Sequence, residues 1–233
     1  MAGNLFLVST PIGNLEDMTF RAVRTLSECD LIAAEDTRHT ALLLKRYDIH
    51  KPMESFHAFN EHAKAEKLIE RIKGGLNVAL VSDAGTPGVA DPGFLPLRAA
   101  LEAGLEPAVI PGVSAVTFAV TASGLPADRF AFWNFVPVKP GRKRKFFEEI
   151  AECGYTVFCF ESPFRVGATL RLIAEIMPEA AVAVIREATK IHEEILRGGA
   201  AELAALKREW KGEFVIGIRN GSARREEPEP RLN

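Results

Sequence analysis

VSDAGTPGVADPG, residues 81–93, carries three glycines, two prolines and two aspartates directly behind the apolar run NVALV of residues 77–81. A simple reversal of chain direction uses about four or five turn residues. An apolar strand that empties into so long a glycine-bearing segment is the pattern of an open α/β sheet, where ligands sit beyond the carboxyl ends of the strands. The near-continuous apolar character of the strand predicts burial on both faces, and therefore a parallel sheet covered by helices on either side.

The flanking sequence extends this reading. Strands are expected at 5–9 (LFLVS), 31–35 (LIAAE), near ESFHA (54–58), at 77–82 and at 107–111, with helices near 19–28, 40–47, 60–73, 94–103 and 114–123. ASGLPADRF (122–130) brings Gly, Pro and Asp after a helix and is the expected domain junction. The second half repeats the style less regularly. Strands are expected at 130–136, 156–161, 181–187, 193–197 and 213–218, and helices at 144–152, 166–177 and 200–210, with a basic loop before residue 144. The expected domains are residues 1–122 and 123–221, followed by a polar tail, 222–233, with nothing to bury and an expectation of disorder. No repeat at a fixed period is present.

Composition narrows the class of protein. The 233 residues are 47% apolar and 26% charged with a net charge of −2, so any basic surface must be local. Cys29, Cys153 and Cys159 form no C-x-x-C pair, which suits reduced thiols in a cytoplasmic protein. The start MAGNLFLVSTPIG has no basic n-region, and no stretch approaches the roughly 18 apolar residues of a membrane span. HEEIL lacks the second histidine of H-E-x-x-H, and with the histidines scattered and no cysteine cluster no metal is expected. His57 is read as a satisfied, partly buried histidine rather than a catalytic one, and His62 stands five residues from it.

The chemistry of the 82–93 loop limits what it can hold. It has neither G-K-[ST] nor G-x-G-x-x-G, so it is neither a Walker loop nor a dinucleotide fingerprint. Asp83 and Asp91 repel a bare polyphosphate, but suit hydroxyls, an ammonium or a sulfonium, while glycine amides are free to meet a carboxylate. S-adenosylmethionine presents all of these groups. The bland alternative is a long connection whose aspartates cap turns. Two more loops have the same look: STPIGNLED (9–17) after the first strand, and PGVSA (111–115), where Ser114 stands at a helix start.

LFLVSTPIGNLEDMTFRAVRTL, AAEDTRHTALLL, ALVSDAGTPGVADPG, PGVSA, FVPVKPGRKR, FESPFR, REATKIHEE and KGEFVIGI fall in an order that resembles the small-subunit ribosomal RNA methyltransferases of the tetrapyrrole methylase superfamily, over about residues 4–219. The resemblance implies two α/β domains, the first sheet mostly parallel and the second mixed, with S-adenosylmethionine in the cleft between them and a homodimeric assembly. It implies 2′-O-methylation of a cytidine in the decoding region of the small-subunit (16S) RNA. Carried over by motif, the cofactor contacts are Pro11, Ser82, Asp83, Ala84, Gly85, Val89, Ala90, Asp91, Ser114 and Ala115, with Phe160, Glu161, Glu213 and Phe214 from the second domain. Two departures stand out: Asn134 occupies a position where the family usually has glycine, and the small helical C-terminal domain of longer members has no counterpart in these residues.

A ribose hydroxyl is a weak nucleophile, so a base contributes roughly a hundred- to ten-thousand-fold. AEDTRHT offers Glu35 and Arg38, and REATK offers Glu187 and Lys190, each set just after a strand. An acidic residue there is also a common helix cap or salt-bridge partner. KPGRKRK (139–145) holds five basic residues in seven positions. Lys139, Arg142, Lys143, Arg144 and Lys145 are thus candidate phosphate contacts, with Arg165 of ESPFR as a further one. The alternatives are methylation of a tetrapyrrole precursor or another small molecule, which has no need of a basic strip, and a non-catalytic RNA-binding assembly factor, which has no need of donor loops.

Overall fold

The computed structural model describes residues 2–56, 61–91 and 93–221, with the side chains of 61–63 outside that description. The polar tail, His57 and the side chain of His62 therefore lie outside the described residues. The chain divides into two compact units, Met1–Ser114 and Ala115–Asn233.

The first unit is a five-stranded parallel sheet in the order β3-β2-β4-β1-β5, built from β1 (Leu5–Val8), β2 (Leu31–Ala34), β3 (Met53–Ser55), β4 (Val78–Val81) and β5 (Ala108–Ile110). Strand alternation divides its apolar residues between two cores. Leu5, Leu7, Leu31, Ala33, Val78 and Leu80 pack with Leu68, Ile69 and Ile72 of α3 (Glu61–Lys73) and Ala100 of α4 (Phe94–Glu102). Val8, Ile32, Ala34, Ala79 and Val81 pack with Ala22 and Leu26 of α1 (Phe20–Glu28) and Leu44 of α2 (Thr37–Arg46). Burial on both faces explains why these strands read as unbroken apolar runs. The chain leaves β1 in one direction along the sheet and β4 in the other, so the helices that follow them lie on opposite faces. That divergence opens a crevice above β4 and β1, where their loops start.

The second unit is a mixed sheet in the order β6-β7-β10-β8-β9, from β6 (Phe130–Phe135), β7 (Thr156–Glu161), β8 (Ala181–Arg186), β9 (Glu194–Gly199) and β10 (Phe214–Arg219). Only the β6–β7 pair is parallel. One face carries α6 (Pro140–Glu152), α7 (Val166–Ile176) and the short α8 (Ala200–Ala204), sealed around Phe147, Ile150, Leu170, Ile173 and Ile216. The other carries α5 (Ala115–Ser123) over Phe158, Ala183, Ile185 and Val215. Gly217 makes room for the buried Phe158 ring, since a Cβ there would lie 2.6 Å from it.

Three expectations are revised. The units separate before α5, not at 122/123, because the apolar face of α5 packs on β10, β8 and β7. The basic segment is not a loop: α6 starts at Pro140, a residue whose missing N–H and fixed φ suit the first helical position. The last helix stops at Ala204 instead of 210, because the following strap is held by other bonds: Arg208 binds Glu194 at 2.8 and 2.7 Å and stacks over Trp210. Among the described residues no helix is long and apolar enough to cross a membrane, and all three cysteines are free thiols.

Candidate functional site

The carboxyl ends of β1, β4 and β5 open onto one edge of the first sheet, and their loops brace one another. Thr10 and Gly85 exchange backbone hydrogen bonds of 2.8 and 3.1 Å, Ser9 Oγ lies 3.0 Å from Thr86 Oγ1, and the Ser9 amide donates to Ile110 O at 3.1 Å. Gly112 lies so close to Ser9 that a Cβ would come within 2.9 Å of its Cβ. Thus Pro11, Gly85 and the start of the 111–114 loop are fixed by backbone contacts. Ser9 and Thr10 were not among the candidate site residues, although they are the two hydroxyls that open STPIG at the end of the strand. Within the glycine loop, Gly85, Gly88 and Gly93 have φ of 76°, 85° and 142°, and Ala90 has 66°. A left-handed alanine is strained, which marks a backbone path set by its surroundings.

The loop after β2 closes onto the same segment. The Asp83 amide donates to Glu35 Oε2 at 3.2 Å, and Asp83 Oδ1 accepts from the Asp36 amide at 3.0 Å. Burial, then the charges of Glu35 and Asp83, push the Asp91 carboxyl up to about 7. The sequence-predicted Glu35, Asp83 and Asp91 therefore share one electronegative region that favours a cationic ligand. Arg38 is turned to solvent and neutralises Asp36 at 2.8 Å, where hydrogen bonds from its guanidinium and amide lower Asp36 to about 2. Ser82 is buried, its carbonyl accepting from Thr10 Oγ1 at 3.3 Å; Ala84 and Ser114 are half-buried and Val89 is exposed.

In the second unit the expected cofactor contact Glu161 has another occupation. Its carboxylate is fully buried and accepts from Thr169 Oγ1 at 2.5 Å and the Ser162 amide at 2.7 Å, with Arg165 Nη2 at 2.6 Å and Lys143 Nζ at 3.6 Å. Four partners fill it, so Glu161 is an internal anchor and offers no oxygen to a ligand. Phe214 is likewise committed: its ring is buried in the α6–α7 core, edge-on to Trp210 at 5.7 Å between centroids. Phe160 is half-buried, its ring edge-on to Phe132 and Phe135 at 4.8 and 5.2 Å.

Glu187, Lys190 and Glu213 do come together. Lys190 Nζ binds Glu187 Oε1 at 3.0 Å and Glu213 Oε2 at 2.9 Å, and Glu187 Oε1 accepts from the Glu213 amide at 2.9 Å. Burial works against both charges here, but the hydrogen bonds win: Glu187 is held below the usual carboxylate range and Lys190 above the usual amine range. Glu187 adopts a φ of 50°, and Gly212 leaves the space its side chain occupies, a Cβ at 212 falling 2.5 Å from Glu187 Cγ.

The basic strip is split by the phase of α6. Lys143 shares the inward stripe with Phe147 and Ile150 and is buried, donating to Thr169 Oγ1 beside Glu161; burial lowers its pKa. It is removed from the phosphate-contacting set. Arg165 is largely buried against Glu161 and is likewise a structural cation first. Lys139, Arg142, Arg144 and Lys145 are exposed. Arg144 pairs with Glu175 at 2.5 Å and Lys145 with Glu149 at 3.8 Å, surface pairs that exchange readily. Asn134, in the place of the expected glycine, has a φ of 57° and accepts from the Phe135 amide at 2.8 Å through Oδ1. Asparagine tolerates this left-handed backbone, so the glycine-like path survives the substitution.

Residues 4–204 match the family of tetrapyrrole (corrin/porphyrin) methylases. The chain is similar to the ribosomal RNA small subunit methyltransferase I of Halalkalibacterium halodurans, 43% identical over 97% of this chain and 79% of that protein. It is similar to the protein of the same name from Synechocystis, 44% identical over 93% and 78%. Among solved structures, uroporphyrin-III C-methyltransferase from Thermus thermophilus, complexed with S-adenosyl homocysteine, shares the fold with a TM-score of 0.65 at 19% identity, covering 93% of this chain and 97% of that one.

Proposed function

The chain belongs to the tetrapyrrole (corrin/porphyrin) methylase family, and from that membership we propose that it is an S-adenosylmethionine-dependent methyltransferase of small-subunit ribosomal RNA, acting on the 2′-oxygen of a cytidine in the decoding region. The observation that carries the reading is the bracing of the β1, β4 and β5 loops into one rigid edge lined by Asp83 and Asp91. A sulfonium with an attached amino acid and ribose matches that donor set: carboxylates for cationic and hydroxyl groups, and strained-open backbone for a carboxylate.

The donor supplies a methyl group already activated as a sulfonium. Pro11, Ser82, Asp83, Ala84, Gly85, Val89, Ala90, Asp91, Ser114 and Ala115 are the residues assigned to hold it. Because the loops are tied to one another before any ligand arrives, they orient it without reorganising. Orientation of this kind is worth on the order of 7–11 kcal/mol of the barrier. Of the basic and acidic candidates, we propose Glu35, whose Oε2 accepts from the Asp83 amide of the glycine loop, as the base for the ribose proton. Glu187 and Lys190 neutralise each other and serve better to fix the backbone of their loop or an RNA oxygen. Lys139, Arg142, Arg144 and Lys145 supply the phosphate contacts, and a homodimer is the expected assembly.

The test is incubation of the purified protein with methyl-labelled donor and small ribosomal subunits, followed by nuclease digestion and nucleoside analysis. Label in 2′-O-methylcytidine supports the reading. Label confined to small molecules points to a tetrapyrrole-type methylase, and RNA binding without label to an assembly factor.

A further inference from the structure

We infer that Phe164 is a stacking platform for an unpaired nucleobase, so that the substrate is engaged as single-stranded or extruded RNA and not as duplex. The inference rests on the RNA reading above. Phe164 is 96% exposed, although it sits in a hydrogen-bonded turn between β7 and α7. Ser162 O accepts from the amides of Arg165 at 2.9 Å and Val166 at 3.2 Å. The turn is pinned below by Glu161, which binds the Ser162 amide and the Arg165 guanidinium. Pro163 restricts the backbone immediately before the ring. The phenylalanine is thus held out into solvent by a rigid turn.

Exposure alone does not mark a site, since Phe20 is 97% exposed and Ile191 95%. Ile191 has no aromatic face to stack on a base, and Phe20 opens α1 in the first unit, outside the segment that carries the basic strip. Phe164 instead neighbours the start of α6, because Lys143 and Arg165 converge on Glu161. Lys139 and Arg142 at that helix start are exposed and have no ion pair among the described residues. An exposed ring beside unneutralised cations is the combination used to bind single strands: stacking on the base, charge on the phosphates. Duplex RNA hides its base faces and gains nothing from the ring.

The experiment compares Phe164→Ala, Phe164→Trp and the parent protein in methyl transfer to small ribosomal subunits and in binding to single-stranded and fully paired oligoribonucleotides. Phe164→Ala is expected to weaken single-strand binding and raise the KM for RNA on the order of tenfold, with the salt dependence of binding and the donor affinity unchanged. Phe164→Trp is expected to restore binding, with its indole fluorescence quenched by single strands and not by duplex. If the parent methylates RNA while Phe164→Ala matches it in KM and in single-strand binding, the stacking role is overturned and the functional reading stands. If the parent transfers no methyl group to RNA, both fall.

Discussion

Lys143 and Glu161 meet inside the second unit: the ammonium lies 3.6 Å from Oε2 of a carboxylate with no exposure, and Arg165 holds the other oxygen at 2.6 Å. Two cations thus surround one buried anion. Glu161→Gln leaves the cations facing each other and is expected to lower stability by about 3–5 kcal/mol. Lys143→Met keeps the matched Glu161–Arg165 pair and relieves the burial of a charge, so its loss should stay within about 1.5 kcal/mol. Urea unfolding of both variants checks this. Equal losses would show that Lys143, not Arg165, is the balancing charge.

On the proposed reading, Asp91 is expected to make donor binding depend on pH. Its carboxyl titrates near 7 in the fold, against an ordinary value of about 3.9 in the unfolded chain. The contribution of this group to stability is therefore fully present below about pH 4 and is lost as pH rises through 7. A sulfonium favours the ionised carboxylate. Affinity for S-adenosylmethionine is then expected to fall by up to about tenfold per pH unit below 7, with a proton released on binding, while affinity for the uncharged thioether product changes less. Calorimetry in two buffers of different ionisation enthalpy measures the released proton. A release that persists in Asp91→Asn would assign it to another group.

The exposed cations of α6 should set the salt dependence of RNA binding. Replacing Lys139, Arg142 and Lys145 by alanine is expected to reduce the slope of log K against log salt by about 2 for a single strand. Lys143→Ala, in contrast, should destabilise the protein without changing the slope. A slope unchanged in the triple variant would remove the strip from the RNA surface.

How much of this was legible follows from where the forces are local. The β4 strand and its glycine loop could be read directly, because a doubly buried parallel strand leaves an unbroken apolar run and its loop needs residues that tolerate positive φ. The inward position of Lys143 was also written in the sequence, as the spacing 143, 147, 150 of one helical face, but the four other cations of the strip face solvent and mask it. The ownership of α5 was not legible: its apolar face fits either sheet, and only tertiary packing decides. Nor was the end of α8, where the helical pattern of 200–210 continues but Arg208 and Trp210 find better partners beyond it. For the site, motif positions located the loops, while the commitment of Glu161 and Phe214 to internal contacts depends on neighbours distant in sequence.

Asn134 offers a last test, because it is where the β6 strand breaks register. Phe132 pairs with Phe158 and Phe135 with Phe160, so three steps on β6 match two on β7. The extra residue is what brings the rings of Phe132 and Phe135 onto the same partner, Phe160; regular alternation would send them to opposite faces. The bulge needs positive φ at position 134, which glycine supplies freely, asparagine accepts and a β-branched residue resists. Asn134→Gly is expected to stay within about 1 kcal/mol of the parent in urea unfolding, trading the bond to the Phe135 amide against an unstrained backbone. Asn134→Val should cost about 1–3 kcal/mol. If valine were tolerated as well as glycine, the left-handed turn could not be what holds Phe135 against Phe160.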